Sequence, residues 1–217
     1  GKRKPNIMKP ERKLRLLLVD DHAVIRMGLT GSLNLEPDLT VIGEAGKGSQ
    51  AIELHRKLRP DVVLMDFRLP DMTGVEATRA ICRESPDARV LMLTVHEGEE
   101  DVYSSMQAGA LGYVQKSIGW KELLAAIRSV AAGERYLPAD LAARLKERLG
   151  REPLSERELE VLHLIVRGQS NKEIGVSLNI SDVTVKRHIT HILEKLGVLD
   201  RTQAAIAAIQ RGIVHLD

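Results

Sequence analysis

Several short apolar runs end on, or are closely followed by, a group able to take part in phosphoryl chemistry. Leu14 to Val19 runs into the pair Asp20-Asp21, Val62 to Met65 into Asp66, Arg89 to Leu93 into Thr94, and Leu111 to Val114 is followed by Lys116. Carboxylates gathered in one place repel and raise one another's pKa values unless a cation sits among them. A hard divalent ion with oxygen ligands, Mg2+ first of all, relieves that repulsion, and Mg2+ keeps several waters and takes an oxygen from phosphate. In such a pocket Asp66 is a nucleophile toward phosphorus, forming an acyl phosphate. The metal, the Lys116 ammonium and the Thr94 hydroxyl would stabilise charge on the phosphoryl oxygens. Each residue alone is ordinary, because Asp is common after strands and as a helix cap. Their occurrence in this order, each at a strand's carboxyl end, is what points to a phosphoacceptor. Pro70 and Gly74 shape the loop around the pocket.

These groups need a scaffold that brings strand ends together. The runs Leu14 to Val19, Leu39 to Glu44, Val62 to Met65, Arg89 to Leu93 and Leu111 to Val114 are rich in Val, Leu and Ile, the pattern of strands buried on both faces. Helical stretches lie between and after them, at Ala23 to Leu35, Ser49 to Leu58, Gly74 to Arg83, Asp101 to Ala108 and Lys121 to Ala132. This alternation predicts a five-stranded parallel, doubly wound α/β sheet of the flavodoxin-like kind, since parallel neighbours need crossover connections. Ligands of such sheets bind outside the carboxyl ends of the strands, where Asp20, Asp21, Asp66, Thr94 and Lys116 stand.

A length of 217 residues, 43% hydrophobic and 29% charged, suits two small globular domains, at roughly 100 to 150 residues each. The net charge of +2 is unevenly spread. Residues 1–16 hold seven basic residues against one acidic, whereas residues 17–132 hold 12 against 17 and residues 151–217 nine against nine. The excess positive charge is therefore a tail, expected to be a solvated end, and charge alone does not point to DNA. The single cysteine, Cys82, excludes an internal disulfide and a cysteine-based zinc site and fits a reducing compartment, with cytoplasm the default. Apolar runs are too short for a membrane helix and the N-terminus lacks a signal peptide's apolar core, so no membrane partner is expected. Two other patterns lead nowhere. Gly43 to Ser49 has two residues where a phosphate loop needs four, and His188 and His191 lack a third metal ligand nearby.

LLLVDDHAVIRMGL, VVLMDFRLPDMTG, LMLTVHEGEED and AGALGYVQKS together make residues 14–132 resemble the receiver domain of a bacterial two-component response regulator. The resemblance implies phosphotransfer from a sensor histidine kinase to Asp66, with Asp21, Asp66 and the main-chain oxygen of Arg68 on Mg2+ and Asp20 holding it through water. It further implies that Thr94 and Tyr113 form a switch pair, the hydroxyl moving toward the phosphoryl group while the ring turns inward. Val95 departs from the small residue usual after that threonine, and Ser117 from the proline common after the lysine.

Residues 133–153 begin and end with breakers and contain one short amphipathic helix, the pattern of a linker. Over residues 154–217 the helix signals are clear. Ser155 with Glu158 and Ser170 with Glu173 form capping boxes, Leu154 and Leu159 a hydrophobic staple, Ser181 caps a third helix that Gly197 ends, and Asp200 with Gln203 opens a fourth. The third helix places Val185, Ile189, Ile192, Leu193 and Leu196 on one stripe. Arg187 sits opposite that stripe, with Thr184, Thr190 and His191 at its borders and Lys186 on the flank. A short helix, a tight turn at Asn179-Ile180 and a longer helix fit a helix-turn-helix, but periodicity alone fits a helical bundle with a solvated face equally well.

The segment LSERELEVLHLIVRGQSNKEIGVSLNISDVTVKRHITHILEKLGV closely resembles the LuxR-type DNA-binding domain, and a receiver joined to it resembles the NarL/FixJ group of response regulators. That likeness implies that Lys186 and Arg187 contact bases or phosphates of double-stranded DNA, with Thr184, Thr190 and His191 nearby. Several family members carry a cation where Thr190 stands. The resulting expectation is a cytoplasmic, phosphorylation-controlled transcription regulator that dimerises on phosphorylation, not an enzyme. An aspartyl-phosphate phosphatase would be expected to carry a second Asp two residues after Asp66, where this chain has Arg68. A quorum-sensing regulator would line a pocket with aromatics, of which this chain has one Trp, one Phe and three Tyr.

Overall fold

The computed structural model describes residues 12–95 and 98–216. They form two compact units, one of residues 12–95 and 105–137, the other of residues 98–104 and 138–216. Of the expected basic tail, residues 1–11 lie outside the described residues, while Arg12 reaches Asp61 at 3.0 Å.

The first half of the chain alternates as β1 (Leu14–Val19), α1 (Ala23–Asn34), β2 (Leu39–Ala45), α2 (Gly48–Leu58), β3 (Val62–Asp66), α3 (Gly74–Glu84), β4 (Val90–Thr94), α4 (Glu99–Gln107), β5 (Gly112–Gln115) and α5 (Trp120–Ala131). All strand pairs are parallel, in the order β2-β1-β3-β4-β5. The doubly wound sheet is therefore as expected. β3 and β4 are buried at every residue, which explains why they are continuous apolar runs rather than alternating ones. The order reverses between β1 and β3, so the crevice where ligands bind opens at those two strands. Val19 is level with Met65, which puts Asp20 and Asp66 side by side at the carboxyl edge.

Strand and helix bounds differ from expectation by a residue or two. β3 takes in Asp66 itself, β4 runs from Val90 to Thr94, and α4 starts at Glu99 instead of Asp101. The earlier start of α4 places Glu99, Glu100 and Asp101 together in the first turn, where carboxylates complement the positive end of the helix. Beside β5, Tyr136 adds an isolated parallel bridge, accepting from the Tyr113 amide at 3.1 Å and donating to Leu111 at 3.0 Å.

One device at the pocket's edge has no local sequence signal. The N-cap of α2 is Lys47, whose side chain caps nothing. Asp71, from the loop after β3, supplies the missing acceptor, taking the Gly48 amide at 2.8 Å and the Ser49 amide at 3.0 Å. Hydrogen bonds from Ser49, hydroxyl and amide, and from the Gly48 amide hold its carboxyl down at about 2. Asp71→Ala is expected to cost about 1 kcal/mol, the usual value of a lost cap, measured by urea unfolding at neutral pH. Because the folded pKa is depressed, this contribution is present above the ordinary 3.8 and is lost as pH falls toward about 2. A wild type and mutant equally stable at neutral pH would show that the cap is idle.

The second unit contains α6 (Ala139–Leu149), α7 (Glu156–Val166), α8 (Asn171–Leu178), α9 (Asp182–Leu196) and α10 (Arg201–Gln210). The capping boxes of α7 and α8 form as read from the sequence, and the Ser181 hydroxyl takes the Thr184 amide at 3.1 Å. Asp200 with Gln203 opens α10 as expected. Asp200 accepts from the Gln203 amide at 2.8 Å, while the Gln203 side chain accepts from the Leu199 amide at 2.9 Å. Asn179, at φ 54°, ends α8 in the left-handed region, and Gly197, at φ 66°, ends α9 there. Gly175 lets the turn fold back on α8, because a Cβ at that position would lie 2.8 Å from the Ile180 carbonyl oxygen. Val185, Ile192 and Leu196 are buried with Val161, Leu162 and Ile174, and Ile189 and Leu193 pack at their edge. The apolar stripe of α9 thus faces the core, and its opposite face is left to solvent.

Candidate functional site

The strand ends assemble one carboxylate pocket. Asp20 and Asp66 are buried, and the half-buried Lys116 extends its ammonium between them, 2.6 Å from Asp20 Oδ2 and 2.8 Å from Asp66 Oδ2. One cation is thus shared by two buried carboxylates. The Lys116 amide donates to the Thr94 carbonyl at 2.7 Å, which ties the chain after β5 to the end of β4. Thr94 itself is fully buried. The second oxygen of Asp66 accepts the Phe67 amide at 2.8 Å, leaving a fixed carboxylate at the end of a rigid strand. Gly74 permits this arrangement. A Cβ there would lie 1.9 Å from the Asp66 carbonyl oxygen, so α3 can start against β3 only with glycine at that position.

The electrostatics follow from that sharing. Desolvation raises the Asp66 pKa, and neighbouring Asp20 adds to the rise, while Lys116 offsets only part of it. Desolvation would lower the Lys116 pKa, but hydrogen bonds and charge from Asp20 and Asp66 outweigh it and the net shift is upward. The two directions agree, because the ammonium has two anions to itself whereas each anion has a share of one ammonium. Negative charge remains in excess, and it is here that a further cation would be welcome. One oxygen or nitrogen from each of Asp20, Asp21, His22 and Asp66 lies within 4.8 Å of the others. Carboxylate oxygens from three of these residues are the donor set that Mg2+ takes. Tyr113, the expected switch partner of Thr94, is fully buried. Arg68, whose main-chain oxygen was expected on the metal, is exposed at the end of an isolated bridge to Thr73.

The other candidate residues lie on α9. Arg187 is exposed and, among the described residues, its side chain engages no hydrogen bond or ion pair. Lys186 is exposed and meets Asp182 at 2.7 Å, one turn earlier. Thr190 is exposed, its hydroxyl donating to the Lys186 carbonyl at 3.1 Å. The remaining two are engaged elsewhere. The Thr184 hydroxyl lies 2.8 Å from that of Ser181, within the cap of the helix, and His191 Nδ1 lies 3.7 Å from Glu158, on the side toward α7.

Residues 16–128 match the model of the response regulator receiver domain, and residues 152–208 that of bacterial regulatory proteins of the luxR family. The chain is 45% identical over 210 residues to the transcriptional regulatory protein LiaR of Bacillus subtilis, covering 93% of this chain and 100% of that protein. It belongs to the NarL/FixJ group of response regulators. This response regulator is also 38% identical to the response regulator protein VraR of Staphylococcus aureus, over 93% of its own length and 99% of VraR. Among solved structures it resembles the response regulator ChrA of a heme-sensing two-component system, with 37% identity, a TM-score of 0.55, and coverage of 93% of this chain and 99% of that one. Its family therefore joins a receiver to a LuxR-type DNA-binding domain and regulates transcription.

Two residues of the regulator's pocket escaped the sequence reading. His22 donates its amide to Asp20 Oδ1 at 2.8 Å and places Nδ1 2.6 Å from Asp21 Oδ1. Its place directly after Asp20-Asp21 was the available signal. Arg26 donates to the Asp20 carbonyl and approaches Glu44 at 3.7 Å, one helical turn into α1, where nothing in the sequence distinguishes it from a solvated cation. Among the described residues, no helix is long and apolar enough to cross a membrane.

Proposed function

We propose that Asp66 accepts a phosphoryl group from a sensor histidine kinase, and that this event controls how α9 engages double-stranded DNA. The Lys116 ammonium shared between Asp20 and Asp66 carries this reading, because it marks the place where negative charge must be neutralised as phosphorus arrives. An Asp66 oxygen forms the new bond to phosphorus as the bond from phosphorus to the kinase imidazole breaks, and the imidazole keeps that electron pair. Lys116 is positioned to neutralise a phosphoryl oxygen, and the Thr94 hydroxyl to bond a second. Asp21, Asp66, the Arg68 main-chain oxygen and, through water, Asp20 would hold Mg2+, which would supply the remaining positive charge. Thr94 and Tyr113 then act as the switch pair that favours a second state.

That second state is a homodimer, in which two copies of α9 meet a palindromic site. The module of residues 151–217 is balanced in charge, nine basic against nine acidic, so one copy makes few phosphate contacts and binds weakly. Phosphate has to bind the dimerising state better than the other for the equilibrium to move. The regulator works in the cytoplasm without a membrane partner. Arg187 contacts base edges from the outermost line of α9, with Lys186 beside it and Thr184, Thr190 and His191 bordering the contact. Arg187→Ala is expected to lose about 1–3 kcal/mol of affinity for a duplex selected from a randomised library, with much less loss on a scrambled duplex. Fluorescence anisotropy of both duplexes checks this, and equal binding of the selected duplex by mutant and wild type would remove Arg187 from the interface.

A further inference from the structure

The outer face of α9 carries one side chain that charge and hydrogen bonding do not explain. Val183 is 76% exposed in the first turn of the helix. Single apolar residues on a surface are ordinary, but the position of this one is specific. At 100° per residue it lies about 40° from Arg187 and about 20° from Thr190 around the helix axis, so it falls between them on the outward line. It is also one turn nearer the N-terminus, the end from which a recognition helix contacts base edges. The core stripe of α9, from Val185 to Leu196, lies on the other side.

We propose that Val183 contacts the C5-methyl group of a thymine in the major groove and so helps to set the sequence this regulator prefers. The assignment rests on the DNA-facing role of α9 given above and goes beyond it to a particular base. Valine can neither donate nor accept a hydrogen bond, so among base edges the thymine methyl is the group it can favour. Its branched side chain is stiff at χ1, which holds both methyls in one place. The backbone beneath is fixed as well, because the Ser181 hydroxyl takes the Thr184 amide at 3.1 Å. Val183 therefore presents an apolar contact between groups suited to polar ones.

The test uses the full chain, treated with Mg2+ and acetyl phosphate, and a duplex selected with it from a randomised double-stranded library. Each thymine of the duplex is replaced singly by deoxyuridine, which removes the methyl and leaves the hydrogen-bonding edge intact. Wild type is expected to lose about fourfold in affinity at one thymine per half-site, the weight of one buried methyl-sized group at ~0.8 kcal/mol. Val183→Ser, at an exposed position that should fold normally, is expected to be indifferent to that replacement while remaining sensitive to Arg187→Ala in the double mutant. Uridine replacements without effect on wild type, or with equal effect on Val183→Ser, would overturn the assignment but leave DNA reading by α9 in place. A selection that enriches no duplex, or one bound equally by Arg187→Ala, would overturn both.

Discussion

Asp66→Asn is expected to take up no phosphoryl group from acetyl phosphate, while wild type gains a single phosphoryl adduct by intact mass. The amide keeps the shape of the carboxylate but lacks the anionic oxygen that attacks phosphorus. The result is informative because the mutant should stay folded. Asp20 retains Lys116 at 2.6 Å, so the ammonium is not stranded. Ionised Asp66 is a cost to the folded state, since burial and Asp20 raise its pKa above the ordinary 3.8. A raised folded pKa means stability that is full below 3.8 and lost as pH rises through the folded value. Removing the charge should therefore leave the melting temperature of Asp66→Asn equal to or above that of wild type at neutral pH. That advantage should fade as pH falls through the Asp66 pKa. A phosphoryl adduct of equal yield on the mutant would place the acceptor elsewhere, and a mutant that melts well below wild type would mean that the Asp66 charge is net stabilising.

Lys116→Met should be harmful in both respects. Methionine fills much of the same space but leaves Asp20 and Asp66 buried with no cation between them. Breaking a buried pair in this way typically costs about 3–5 kcal/mol; the lower end is expected here, because Lys116 is only half-buried and one carboxylate can protonate. Mg2+ should return part of the loss, because a cation that binds only the folded pocket stabilises it by mass action. Uptake from acetyl phosphate should slow by about a hundredfold, the effect of removing one fixed donor from a developing anion. Unfolding with and without Mg2+ and a time course of the adduct test both claims. A mutant as stable as wild type without Mg2+ would show that the shared ammonium contributes little, and an unchanged adduct rate would take Lys116 out of the chemistry.

The pocket was legible in the sequence because a parallel strand buried on both faces is nearly all apolar, so that a charged residue at its end stands out. Asp20, Asp21, Asp66 and Lys116 carried that signal, Thr94 stood out only as a polar end to an apolar run, and the sheet order puts the first three at its switch point. Asp71 and Arg26 carried none. Asp71 caps α2 from across the fold, 22 or 23 positions away from the amides it binds, and Arg26 makes its contacts only after α1 has packed beside β1 and β2. Interactions that join distant segments leave no local pattern.

In the second unit local signals were stronger, because caps and left-handed helix ends are set by residues within one turn. Ser155, Ser170 and Ser181 cap as read, and Gly197 closes α9. The same local chemistry limits two proposed DNA contacts. Position around the helix picks out Thr184 and His191, but it does not show that the Thr184 hydroxyl already shares the cap with Ser181 or that His191 leans toward Glu158. Lys186 is a different case, since its 2.7 Å pair with Asp182 is exposed and easily exchanged for a phosphate.

The most direct test of the account is to titrate the selected duplex with the full chain before and after treatment with Mg2+ and acetyl phosphate, in wild type and Asp66→Asn, recording affinity and the number of protomers bound. Treatment is expected to tighten wild-type binding and to bring two protomers onto each duplex, with no response from Asp66→Asn. A wild-type chain that carries the adduct yet binds with unchanged affinity and stoichiometry would contradict it.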